Sequence, residues 1–409
     1  MTIALTIIAI LCIVGLPVPI VILTRKSKIL GAIGAIACCY IVGFAFSTLG
    51  LFRLADPDKT VVDFDQVQNL TSNIAYVLVA LSIPLILFSI DLRAVKKLTK
   101  GTIIGYSLCI VSVIIVAVAM FFITLSFFPS SKLSAMIIGL YTGGTPNLTA
   151  IGGMLSAGDD VIMAANVSDT LVGGIYFLFL ISIAPKVYRC ILNRKKRPLQ
   201  TPVATTMEVA ETDITESAVA KDDYKFGFSI KDKKSVLKLL GAFGLAVGCI
   251  GIGILFEVII EGTFAENFLY ILLSVSVLGV ALSFINPIRN IKGQYTLGMY
   301  LILMFSLALS MSIDWTVFLR NILPTMAFFA CAQIAVVLLH LLLCKIFRVD
   351  GDTALITSTA GIYGPPFIAP VAKATNRADL IAPGVICGAV GLAIGTLLGW
   401  GVGEILMLV

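Results

Sequence analysis

The sequence predicts an all-α polytopic membrane protein made of two inverted repeats, and three observations carry that prediction. The 409 residues are 59% hydrophobic and only 13% charged, with a mean hydropathy of +1.05. A soluble chain of this length has too few charges to cover that much apolar surface. Many apolar runs approach the ~20 residues that span hydrocarbon. Two runs carry glycine–proline breaks, Gly143-Gly144-Thr145-Pro146-Asn147 and Gly361-Ile362-Tyr363-Gly364-Pro365-Pro366. Interrupted helices at matching places in two halves point to a binding site.

Taken in order, apolar segments are expected at 3–23, 30–52, 74–90, 101–127, 133–157, 162–185, 236–260, 267–285, 295–313, 321–344, 353–373 and 380–407. The first has no basic n-region and no small-residue cleavage site, so it reads as a retained span. The polar stretch from Lys186 to Ser235 holds Arg194-Lys195-Lys196-Arg197 and then a Thr/Glu/Val/Ala-rich tract. That composition reads as a mobile loop. The expected organisation is therefore a first repeat over 1–185, a cytoplasmic linker over 186–235 and a second repeat over 236–409. Ser89-Ile90-Asp91 and Ser312-Ile313-Asp314 end corresponding segments, and Val172-Gly173 and Val390-Gly391 follow the two breaks at one offset.

Charge sets the expected topology, because short Lys/Arg-rich loops face the cytoplasm. Arg25-Lys26-Ser27-Lys28, the loop with Arg93, Lys96, Lys97 and Lys100, the Arg289/Lys292 loop and the Lys345/Arg348 loop then lie inside. The acidic loop with Asp56, Asp58, Asp63 and Asp65 lies outside. Twelve full crossings leave the basic linker on the wrong side. The conflict disappears if 133–157 and 353–373 are re-entrant hairpins with their breaks at the tips. Each half then has five crossings and one hairpin, the halves are inverted, and both termini lie outside. Broken helices that cross the membrane are the alternative.

The breaks supply the candidate site. Irregular backbone at membrane depth is tolerated only beside protein or a water-filled cavity. Gly143 and Gly144 allow close backbone approach, and Pro146 cannot continue a helix. Thr145 and Asn147 bring oxygens to the tip, and Asn147 and Thr149 open a half-helix whose N–H groups favour anions. Carbonyls freed before the break suit Na⁺. In the second break Thr357, Ser358, Thr359 and Tyr363 precede Gly364-Pro365. Tyr363 is either a donor to a solute or a residue of a helix interface. Expected solute contacts are Thr145, Pro146, Asn147, Thr149, Tyr363, Gly364 and Pro365; expected ion contacts are Gly143, Gly144, Asn166, Ser168, Asp169 and Thr359.

Asp169, in Asn166-Val167-Ser168-Asp169-Thr170, stands out because an acid at membrane depth is costly and usually functional. It either ligates Na⁺ or carries a proton with Asn166 and Ser168, or sits shallow and caps its helix. Cys387 holds the equivalent position in the second half. Asp91 and Asp314 read as helix-end or cap residues. Asp159 and Asp160 read as facing water, Glu257 and Glu404 as interfacial, Arg377 as a solvated loop charge and His340 as a packed core residue.

Other classes are excluded. The net charge of +6 sits between apolar segments, so it does not mark a nucleic-acid surface. The nine cysteines show no C-x-x-C, and one histidine cannot build a multi-histidine metal site. No P-loop, S4-like arginine ladder or Thr-Val-Gly-Tyr-Gly filter is present. No enzymatic activity and no transition metal or organic cofactor are expected.

At Tyr141-Thr142-Gly143-Gly144-Thr145-Pro146-Asn147 the chain resembles the YjcL-like membrane proteins, a domain of unknown function. Gly364-Pro365, Ala382-Pro383-Gly384, Gly388, Gly391, Ile394-Gly395-Thr396 and Gly399 look like that family's C-terminal signature. Pro365-Pro366 departs from the Gly-Gly-Pro expected at the second tip. More distantly, Gly143 through Asp169 is similar to bile-acid–sodium symporters, and the hairpin layout to glutamate–sodium and citrate–sodium symporters, within the cation–proton antiporter and anion transporter superfamily. The resemblance implies a scaffold, a mobile elevator-like core, a homodimer, and Na⁺ or H⁺ coupling. The expected function is secondary active transport of a small organic anion, amino acid or small peptide across the bacterial inner (plasma) membrane. A passive channel or uniporter is the alternative. The lipid bilayer and the solute are the expected partners, with no nucleic acid.

Overall fold

In hydrocarbon every backbone N–H and C=O needs an internal partner, so apolar runs of this length close into helices. A computed structural model of the chain describes residues 2–27, 30, 34–48, 64–125, 130–192, 232–262, 268–312 and 315–409. Every regular element among them is helical. Among the described residues eight helical stretches are long and apolar enough to cross a membrane, and Phe268–Ser283 is a shorter apolar helix. The chain is a multi-pass, all-α membrane protein.

The helices are α1 (Thr2–Gly15), α2 (Pro17–Lys26), α3 (Ala35–Thr48), α4 (Phe64–Phe88) and α5 (Lys100–Thr124). Next come α6 (Ser130–Gly143), α7 (Thr145–Met154), α8 (Asp159–Ser182) and α9 (Ala184–Ile191). The second half has α10 (Lys233–Glu261), α11 (Phe268–Ser283), α12 (Gln294–Ser312), α13 (Trp315–Ile346), α14 (Gly351–Tyr363), α15 (Ile368–Thr375) and α16 (Ile381–Met407). Side chains close several N-termini, as an orphan helical N–H requires. Thr99 caps α5, Asp232 caps α10 and Asp350 caps α14. The helices sort into two packed groups. One joins α3, α4 and α10–α12; the other joins α5–α9 with α13–α16.

Both broken segments double back. A straight helix would put Lys132 and Ser156 about 36 Å apart at 1.5 Å per residue. Instead the Lys132 ammonium donates to the Ser156 carbonyl at 2.7 Å. In the second segment Arg189 holds Asp352 at 2.8 Å and the Thr375 carbonyl at 2.6 Å, and Arg377 reaches Asp352 at 3.4 Å. The first hairpin is α6–α7; the second is α14, a short 3-10 turn at Pro365–Phe367, and α15. They open toward opposite ends of α13. Asn321, near its start, bonds Asp160 just after the first hairpin, whereas the second hairpin begins five residues past its end. Arms of 10 to 14 residues reach roughly 15–20 Å, so each tip comes near the middle of a ~30 Å hydrocarbon layer.

The two tips share one backbone conformation. Gly144 has φ 106° and ψ −177°; Gly364 has φ 74° and ψ −169°. Essentially only glycine adopts that region. The Pro365-Pro366 departure leaves this geometry intact, because the glycine ahead of it makes the turn.

Helix α16 is the spine on which both hairpins rest. A Cβ on Gly384 or Gly388 would press on the second hairpin at Ile368 or Pro365. A Cβ on Gly391, Gly395, Gly399 or Gly403 would press on the first, at Thr142, Asn147, Ile151 and Ala135. Small residues spaced three or four apart allow this approach, as is usual between helices in lipid.

Several expectations change. Lys186 to Ile191 belong to helix α9, whose Tyr188 is buried while Arg189 grips the second hairpin, so the start of the polar stretch is ordered by an ion pair. Arg194 to Arg197, Lys28, Asp56, Asp58, Asp63 and Asp314 lie outside the described residues. Asp159 and Asp160 do not simply face water. Asp159 accepts from Ser72 and Tyr76, and Asp160 from Asn321, and these donors offset their partial burial. Arg377 is not a free loop charge: it pairs with both oxygens of Asp379 and with Asp352. Glu257, near the end of α10, is fully buried. Asp91 does end a segment as expected, bonding the Arg93 amide and Arg289. His340 is a core residue, its Nε2 against the Gly105 carbonyl.

Two measurements test this architecture. In a cysteine-free background, Lys132→Cys and Asp379→Cys are expected to react with a membrane-impermeant maleimide from opposite sides; labelling from one side for both would rule out opposed hairpins. Gly144→Ala has room for its methyl but not the backbone, and is expected to cost about 1–3 kcal/mol in denaturant unfolding. Wild-type stability in that variant would contradict the tip conformation.

Candidate functional site

Each hairpin tip exposes helix ends that need partners, and each finds them on a helix of the other half of the chain. The Asn147 side-chain amide donates to the Gly391 carbonyl at 3.1 Å, and Thr396 donates to the Asn147 amide oxygen at 3.0 Å. The Tyr363 hydroxyl donates to the Gly173 carbonyl at 2.6 Å. Gly173 and Gly391 thus play matching parts, each accepting from the opposite hairpin. The tips also touch: a Cβ on Gly144 would lie 3.8 Å from the Tyr363 carbonyl oxygen, and one on Gly361 would lie 2.9 Å from that of Tyr141.

Asp169 lies where the tips converge. It is half-buried, and none of the ion pairs among the described residues includes it. Thr145 is 3.5 Å away, at the first turn of α7. A carboxylate beside that N-terminus is favoured by the helix dipole. Tyr40, Tyr141 and Tyr363 sit within electrostatic reach of it. Next to Asp169, the Ser168 hydroxyl is buried and has no hydrogen-bond partner among the described residues.

The other expected residues divide into two sets. Thr149 and Asn166 do come together, with the amide 3.4 Å from the hydroxyl, and Asn166 also bonds the Ile162 carbonyl at 2.8 Å. Asn147 is brought to the tip, but both ends of its amide are spent on α16. Thr359 is buried and bonds the Leu355 carbonyl of its own helix at 2.8 Å, so its hydroxyl is occupied. Gly143, Gly364 and Pro365 pack against Gly391 and Gly388, and Pro146 starts α7. The Thr142 carbonyl, freed ahead of the break, already accepts from Tyr106 at 2.8 Å.

Ring stacking closes one flank of the site. Tyr363 packs on Phe367 with centroids 4.9 Å apart, on Phe177 at 5.9 Å and on Tyr176 at 6.1 Å. Sequence reasoning passed over three polar neighbours. Tyr40 and Tyr141 carry no signal that separates them from interface tyrosines. Gln333 does: it is a polar amide within the apolar run of α13, the kind of residue that marks a site in a membrane helix. It is 2% exposed and lies beside the Tyr363 hydroxyl.

Removing the Asn147 amide leaves the Gly391 carbonyl and the Thr396 hydroxyl without it. Asn147→Ala is expected to lose about 1–3 kcal/mol of stability, and Thr396→Val to add little on top of it in a double-mutant cycle. Fully additive losses would show that the two side chains do not share one interaction.

The family described as "Protein of unknown function (DUF819)" matches residues 9–409. The chain is also similar to the "Uncharacterized membrane protein YjcL" of Bacillus subtilis (strain 168). The two are 25% identical over 327 residues, which cover 78% of this chain and 80% of that protein. With nearly its whole length matched, the chain belongs to the DUF819 family of membrane proteins of unknown function.

Proposed function

We propose that this protein is a secondary active transporter that moves a small organic anion, amino acid or small peptide, coupled to Na⁺ or H⁺, by alternating access across the plasma membrane. The observation that carries this reading is the pair of re-entrant hairpins meeting tip to tip beside Asp169. Broken helices at the midplane, one from each half, are the form in which transporters build substrate and ion sites. An unpaired carboxylate at that depth is costly to keep and is accounted for by a transported cation or proton.

The reading extends to the rest of the fold. The element order α1–α8 followed by α10–α16, with hairpins opening in opposite directions, fits two inverted repeats. The group with α3, α4 and α10–α12 would serve as scaffold, and the group with both hairpins as the moving core. Ser72 and Tyr76 of α4 hold Asp159 of α8 across the boundary, Tyr76 at 2.7 Å. That contact must open if the core slides.

Purified protein in liposomes is expected to accumulate radiolabelled amino or hydroxy acids only when an Na⁺ or pH gradient is imposed. Asp169→Asn is expected to lower gradient-driven uptake about ten- to a hundred-fold, since hydrogen bonds to charged groups contribute ~1.5–3 kcal/mol. Fast flux without any gradient dependence would sink the coupling and leave a channel or uniporter.

A further inference from the structure

We propose that Gln333 is the residue that reads the solute, and that it selects acids carrying a hydrogen-bond donor next to the carboxylate, α-amino or α-hydroxy acids, over plain carboxylates. This rests on the transporter reading and names the chemistry of its site.

Gln333 lies near the middle of α13, among apolar residues. It is 2% exposed, and among the described residues neither its amide oxygen nor its amide nitrogen has a hydrogen-bond partner. A primary amide offers two donors and an acceptor oxygen with two lone pairs. Leaving all of them unpaired inside a membrane protein is expensive, and each such group in a native fold needs an explanation.

Tyr363 and Tyr141 supply no donor to the amide oxygen, since each has one O–H and directs it elsewhere. Tyr363, beside Gln333, has already given its single O–H to the Gly173 carbonyl at 2.6 Å. Tyr141 points its hydroxyl at the Phe329 carbonyl, 3.3 Å away and one turn earlier on α13. That bond also fixes the turn holding Gln333 against the first hairpin. Gln333 therefore lies beside the junction of the two tips with its amide oxygen unsatisfied. Asp169 shares this junction through Tyr141 and Tyr363.

An occupant satisfies the amide oxygen only if it donates. A bare carboxylate meets the amide N–H groups and leaves the amide oxygen stranded. An α-amino or α-hydroxy acid meets both. Sites built on buried hydrogen bonds reject analogues that lack the matching group far more strongly than apolar pockets reject a missing methylene.

Three acids of equal carbon count isolate the point: L-alanine, L-lactate and propionate differ only at the α-carbon substituent. In thermal-shift titrations of the full-length protein in detergent with Na⁺, alanine or lactate is expected to stabilise at concentrations at least ten-fold below propionate. Gln333→Leu, and Gln333→Met should the first fold poorly, are expected to melt higher than wild type without solute. Both are expected to bring the three acids within about two-fold of one another. Failure of alanine and lactate to outrank propionate in wild type overturns the proposal. So does an intact preference in the Gln333 variants, or a lower melting temperature without solute, which would make the amide structural. Replacing Na⁺ with N-methyl-D-glucamine separates the two levels. A sodium or pH response that persists while the acid preference fails removes only the Gln333 assignment. Absence of any such response, together with no gradient-driven uptake, removes the transporter reading.

Discussion

The close approach of α16 to both hairpins is the constraint on which the rest of the molecule depends. In lipid there is no hydrophobic force to press one helix on another, so packing must come from surfaces that fit. Along α16 six of the seven glycines from Gly384 to Gly403 leave no side chain between its backbone and the hairpin arms. Gly391 fits under the Thr142 carbonyl and the Tyr106 hydroxyl so tightly that a single methyl has no room. That proximity is what lets the Gly391 carbonyl reach Asn147 and what holds the first tip at mid-depth. Without it the hairpin has no fixed partner, and the site beneath it has no fixed shape.

The tips themselves are a compromise between chain geometry and membrane chemistry. Turning a helix back inside hydrocarbon strands N–H and C=O groups that water cannot reach. The chain recovers them from the opposite half: Asn147 and Thr396 on one side, Tyr363 and Gly173 on the other, with Tyr106 closing the Thr142 carbonyl. Near the tips some groups stay without such partners. Asp169 has no cationic partner among the described residues, and Ser168 and Gln333 have no hydrogen-bond partner among them. Proteins tolerate locally unfavourable groups where function needs them and compensate elsewhere. Here the surrounding glycine packing and the ion cluster of Arg189, Asp352, Arg377 and Asp379 supply the compensation.

Much of this was legible in the chain. The apolar runs, the glycine–proline breaks and the charge conflict that favours hairpins over crossing helices can all be read without coordinates. Asp169 was legible for the same reason as the spans, because a carboxylate in an apolar run is rare. Other residues were misread because their meaning lies in their neighbours. Asp159, Asp160 and Arg377 look like surface charges until Ser72, Tyr76, Asn321 and Asp352 are placed against them. Asn147 and Thr359 look like free ligands until their hydrogen bonds are seen to be spent. Gln333 carried the same signal as Asp169 in weaker form, since an uncharged amide in a helix stands out less than a charge.

The sequence by itself determined the class of the molecule, the position of its breaks and the presence of Asp169 within an apolar segment, since hydropathy and backbone chemistry act over short stretches of chain. Tertiary structure alone decided which polar groups remain available at the tips. That choice turns on contacts between residues up to about 250 positions apart, such as Asn147 with Thr396, and no local pattern encodes whether a given donor has already found its acceptor.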